Sequence, residues 1–82
     1  MISMGKESKL TSEEVVAKAV TFFGPSGVGL KIQEQADCCA RFEGAGGYVF
    51  VQASPLEDAD ASEVSVEGRE WEYQIRQFMQ LI

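Results

Sequence analysis

The side chains with the most chemistry in this sequence are two adjacent cysteines, Cys38 and Cys39. A thiolate is both a nucleophile and a soft-metal ligand, and a nearby cation favours its formation. Arg41 lies two residues on, so Cys39 is the candidate for a reactive thiol. An ordinary zinc site needs about four ligands, and the chain has two Cys and no His. Neighbouring α-carbons lie about 3.8 Å apart, whereas a relaxed disulfide spans roughly 4.4–6.8 Å. A bridge between the two would be strained, which predicts free thiols and a reducing compartment. Without His, a general base would have to be a carboxylate, a thiolate, Lys or Tyr. Glu34 and Asp37 share one turn, and Asp58, Asp60 and Glu63 lie in or beside one loop. That loop lacks the glycine and terminal glutamate of an EF-hand, so its carboxylates read as solvated. No catalytic, cofactor or metal residue is assigned.

Gly24-Pro25-Ser26-Gly27-Val28-Gly29-Leu30-Lys31 nearly spells a phosphate loop. The hexapeptide 24–29 resembles the loop of guanylate-kinase-like enzymes. The resemblance covers these few residues only and stops at the next ones: Leu30 stands where lysine is needed, and Ile32 follows Lys31 where a hydroxyl would hold magnesium. A working loop also joins a strand to a helix, so that helix N–H groups meet the anion. The flanking pattern here is helix then strand, so the segment reads as a helix stop and strand start.

Tyr48 and Phe50 are the remaining candidates. Alternation places them on one strand face with Arg41, where a cation–π contact can form. If no helix covers that face, it is a surface for a protein partner or for self-association.

The elements that position these residues follow from periodicity. Thr11 with Glu14 fits a capping box, and Val15, Val16, Ala19, Val20 and Phe23 recur at helical spacing, predicting a helix over about 12–23. From Val28 the period changes to two. Runs around 28–33, 38–43 and 48–53 read as strands, and 63–67 as a short fourth. Gly44-Ala45-Gly46-Gly47 supplies a tight hairpin, whose symmetric register sets Glu43 opposite Tyr48, Phe42 opposite Val49, Arg41 opposite Phe50 and Ala40 opposite Val51. One face then carries Phe42, Val49, Ala40, Val51, Cys38 and Ala53. The other carries Glu43, Tyr48, Arg41, Phe50, Cys39 and Gln52. Residues 54–62 form an acidic loop containing Pro55. Trp71, Ile75, Phe78 and Ile82 predict an amphipathic helix from about 69 to the end. Helical patterning of 31–42 and strand patterning of 69–76 are the competing readings.

Size and charge set the limits. The chain has 82 residues and a net charge of −6. Residues 1–42 carry five basic and five acidic side chains, and 43–82 carry two and eight. Nucleic-acid binding needs clustered Lys and Arg, and anionic membranes attract basic segments, so neither partner is expected. No apolar run approaches the roughly 20 residues of a membrane span. Met1–Lys6 lacks the apolar core of a secretory signal, so the expected location is cytoplasmic.

The expected fold is α+β: helix, three- to four-stranded antiparallel sheet and C-terminal helix as a two-layer sandwich. Residues 1–10 are expected to be a flexible arm and 11–82 a single domain. The expected function is a small non-enzymatic protein-interaction module using Tyr48, Phe50 and Arg41. The alternatives are a carrier holding a small apolar ligand between sheet and C-terminal helix, and a thiol-dependent activity at Cys39.

Overall fold

The computed structural model describes residues 1–44, 46–56 and 61–82. The elements run β1 (Ile2–Ser8), α1 (Ser12–Phe23), β2 (Lys31–Gln35), β3 (Cys39–Gly44), β4 (Gly47–Pro55), β5 (Ser62–Arg69) and α2 (Glu72–Leu81). Among the described residues the strands form one five-stranded antiparallel sheet, ordered β1-β5-β4-β3-β2. The α+β class holds, with more strands than the three or four expected.

The extra strand is β1. The arm expected over residues 1–10 is mostly strand, paired along its length with β5 from Ile2 opposite Gly68 to Ser8 opposite Ser62. Local patterning missed it because an edge strand needs few apolar residues of its own. Its long partner supplies the backbone hydrogen bonds.

Helix α1 starts as its sequence predicts. The Glu14 N–H donates to Thr11 Oγ1 at 3.2 Å, and the Thr11 N–H donates to Glu14 Oε1 at 3.0 Å. Its end is closed by the glycine-rich segment. The N–H groups of Val28 and Leu30 donate to the carbonyls of Phe22 and Phe23, and those of Gly27 and Gly29 donate to the Gly24 carbonyl. Gly29 takes φ 99°, a left-handed conformation that favours glycine. The donors that a phosphate loop would aim at an anion are therefore spent on the end of α1. Strand β2 starts at Lys31, later than the alternation from Val28 implies.

The hairpin β3–β4 has the predicted register at all four pairs named above. Ala45, at its tip, lies outside the described residues. Residues 31–42 are two strands, not a helix, and 72–81 are helix, not strand. Strand β4 continues through Ser54 to Pro55, which were expected in the acidic loop; as its last residue Pro55 interrupts nothing. Asp58 and Asp60 lie outside the described residues.

Both helices pack on the same sheet face. Phe42, Val49 and Gly68 stand side by side across β3, β4 and β5. The Phe23 ring of α1 lies 5.6 Å from Phe42, and Ile75 of α2 sits directly against Gly68. Phe23, Phe42, Phe78, Val51, Val66 and Ile75 are fully buried in one cluster. The other face carries Arg41, Tyr48, Phe50, Gln52, Ser65 and Glu67, with no buried residue among them. Alternation of this kind is what an antiparallel sheet with one solvated face requires.

Candidate functional site

The helices leave an open groove between them, about 860 Å³ in volume. Its apolar lining comes chiefly from Phe22, Trp71, Phe78 and Leu81. Phe22 falls just off the buried stripe of α1. Its ring meets Phe23 edge-on at 4.9 Å and Phe78 at 5.7 Å. Trp71, Gln74, Phe78 and Leu81 follow helical spacing and share the side of α2 that faces the groove. Leu81 is 60% exposed and adds an apolar surface to the groove wall beside Phe78. The rim carries donors and acceptors from Thr21, Gln74 and Gln77. Lys18 is the charged residue among those lining the groove, so a chain of net charge −6 offers a cation here.

The segment that delivers Trp71 breaks local rules. Glu70 sits at φ 78°, the one non-glycine residue with positive φ among the described residues. Trp71 then serves as N-cap of α2 without any side-chain capping hydrogen bond. Its Nε1 is buried with no hydrogen-bond partner among the described residues. An unmet buried donor costs about 1–3 kcal/mol. Departures of this kind concentrate at functional sites.

Arg41, Tyr48 and Phe50 do come together on the sheet face that the helices leave uncovered. The Arg41 guanidinium lies 4.8 Å from the Tyr48 ring centroid and 3.8 Å from the Glu43 carboxylate. Phe50 stands between Arg41 and Glu67 on the neighbouring strands. All three named residues are half-buried. The two aromatics are thus interleaved with charge, not joined to a wider apolar patch.

Strict alternation across Cys38 and Cys39 fails. Cys38 was expected to face the core and is exposed, because β3 begins only at Cys39 and Cys38 belongs to the turn before it. Both thiols are free, and the Cys38 thiol donates to Cys39 Sγ at 3.9 Å. Burial pushes the Cys39 thiol pKa up, and the hydrogen bond from Cys38 and the charges of Cys38 and Glu34 add to the rise. Arg41 is not among the groups that shift it; its guanidinium lies over the Tyr48 ring and near the Glu43 carboxylate. The surroundings of Cys39 thus favour its thiol form over the thiolate.

Among the described residues no group of three or more His, Cys, Asp or Glu is placed to hold a metal ion. No helix among them is long and apolar enough to cross a membrane. No protein-family model, curated protein or solved structure matches this chain.

Phe22, Trp71, Leu81 and Lys18 line this groove and were absent from the sequence-derived site. A signal for them exists: Phe22 and Leu81 are large apolar residues outside the buried stripes of their own helices.

Proposed function

We propose that this chain is a small non-enzymatic interaction module that seats the apolar face of an acidic amphipathic helix from a protein partner in the α1–α2 groove. The observation that carries this reading is the groove itself, with exposed Leu81 and half-buried Trp71 on one wall and Lys18 on the other. Sites for free small ligands bury about 70–90% of the ligand surface. This groove is open to solvent, and its lining residues Lys18, Thr21, Gln77 and Leu81 are all exposed. A partner helix suits such a shape, because it brings its own polar face for the solvent side. Charge complementarity makes the partner acidic: a carboxylate near Lys18 gains a contact that a basic helix lacks.

Trp71 is the only tryptophan, so its emission reports directly on the groove. A synthetic amphipathic Leu/Glu helix should shift that emission to the blue, and its Leu/Lys counterpart should not. Leu81→Asp should abolish the response, and Lys18→Glu should reverse the preference. An equal response to both peptides, or none to either, overturns the reading. A response to decanoate alone would favour the apolar-ligand carrier. A Leu81-dependent dimer in sedimentation would favour self-association.

A second reading places a protein partner on Tyr48, Phe50 and Arg41. It is favoured by the absence of helix cover on that face. Phe50→Ser would then weaken partner binding and leave the groove response untouched.

A further inference from the structure

We propose that Cys38 and Cys39 form a dithiol clamp for a monosubstituted trivalent arsenical, a soft centre that needs two protein sulfurs and brings its third bond with it. This inference is independent of the groove, since the pair lies at the start of β3, where Cys39 belongs to the uncovered sheet face.

Three observations carry it. First, both sulfurs are on one side of the chain, at 3.9 Å, with Cys38 exposed and Cys39 half-buried. The turn brings them together, whereas an extended strand would send them to opposite faces. Second, the backbone of both residues is pinned. The Cys38 carbonyl accepts from the Ala53 N–H at 2.7 Å, and the Cys39 carbonyl accepts from the Ala36 N–H at 2.8 Å. Such prior ordering lowers the entropy cost of chelation. Third, the spacing suits a bridging atom better than a direct bond. A disulfide needs its sulfurs at about 2.05 Å. Two bonds of roughly 2.3 Å meeting near a right angle at a pyramidal trivalent centre span about 3.3 Å, a closure that a small turn of the exposed Cys38 side chain supplies. The ring is also larger by the bridging atom, which relieves the strain of a bond between neighbouring cysteines.

The number of ligands selects the centre. Zinc would need about four protein ligands, and the chain offers two cysteines and no histidine. A monosubstituted arsenoxide is complete with two. In that exchange two S–H bonds and the arsenic–oxygen double bond break, and two arsenic–sulfur bonds form. Both protons leave with the oxygen as one water, and arsenic stays trivalent. The exchange starts from two neutral thiols and ends in a neutral adduct and water, so its equilibrium calls for no standing thiolate. The raised pKa of the Cys39 thiol, to which the Glu34 carboxylate contributes, slows the attack and leaves the product unchanged.

Phenylarsine oxide and the intact folded chain provide the test. Native mass spectrometry should show one phenylarsenic per chain, with both thiols closed to iodoacetamide. Excess 2-mercaptoethanol should leave the adduct in place, and ethanedithiol should strip it. Cys38→Ser and Cys39→Ser should each give an adduct that the monothiol removes. Stripping from the native chain should require about tenfold more ethanedithiol than from the urea-unfolded chain, the advantage expected of a pre-ordered site. Two arsenicals per chain, an adduct joining two chains, removal by the monothiol, or equal stripping in urea would each overturn the proposal.

Discussion

The Lys6 ammonium donates to the Met79 carbonyl at 3.0 Å, joining β1 to the last turn of α2 across 73 residues of sequence. It also donates to the Ile82 carbonyl at 3.0 Å. Helix α2 has no basic residue in its own last turn. The cation that its negative end calls for is therefore supplied from the sheet edge. Lys6 shares a face with Met4 and Ile2, toward the helices, and this explains a lysine on that side of a strand.

Lys6→Met keeps the length of the stem and removes the donors. It should cost about 0.3–1 kcal/mol, the usual worth of a cation at a helix C-terminus. For a domain of this size that lowers Tm by roughly 1–8 °C, and the loss should shrink in strong salt, where the charge interaction is screened. Thermal unfolding followed by circular dichroism measures both. An unchanged Tm would mean that the two hydrogen bonds contribute nothing net.

The same contact explains what could and could not be read along the chain. Hairpin β3–β4 was legible because its glycine cluster and its alternation both act within a few residues. Helix α1 was legible for the same reason, through Thr11, Glu14 and the buried stripe ending at Phe23. Strand β1 was not, since Lys6 and Ser8 face the helix side and their partners, Met79 and the β5 backbone, are distant in sequence. Cys38 was misplaced because alternation assumes that the strand has already begun. The groove escaped notice because neither helix alone contains it: Phe22 comes from α1, and Trp71 and Leu81 from the segment beginning at the N-cap of α2.

Gly68 is where Ile75 of α2 meets the sheet. A Cβ there would lie 2.9 Å from the Tyr48 carbonyl oxygen and collide with Ile75 Cδ1. Gly68→Ala should destabilise by about 1–3 kcal/mol, as overpacking of a filled core does. Adding Ile75→Val should return part of that loss, because it removes the colliding methyl. Urea unfolding of the two single variants and the double variant gives the coupling. Strict additivity would count against direct contact as the cause.

Glu14 links the capping box to pH. Its hydrogen bonds from the Thr11 backbone and side chain lower its pKa from the ordinary 4.5, with Lys18 helping. A depressed carboxyl pKa means that the unfolded chain binds the proton more readily. The contribution is thus fully present above the ordinary value and lost as pH falls through the lower folded value. Glu14→Gln retains a side-chain acceptor for the box and removes the charge. Urea midpoints of the two proteins should differ near neutrality and converge in acid. A gap that stays constant down the acid range would rule out this linkage.

Glu70 connects stability to the groove. Its φ of 78° is costly for a residue with a Cβ, and it sits immediately before Trp71. A left-handed residue costs about 1–2 kcal/mol, and glycine returns roughly 0.5–1 kcal/mol of that to the unfolded chain as entropy. Glu70→Gly should therefore stabilise by about 0.5–1 kcal/mol, read as a higher urea midpoint. If the strained turn holds Trp71 in its groove position, the more pliant glycine should also weaken the Trp71 emission response to the Leu/Glu peptide, the usual trade between stability and function. Glu70→Asn separates the two effects. Asparagine tolerates the left-handed region better than glutamate and keeps a Cβ, so it should gain stability and retain the response. A glycine variant that is more stable and still responds fully would show that the turn is a local imperfection with no part in placing the indole.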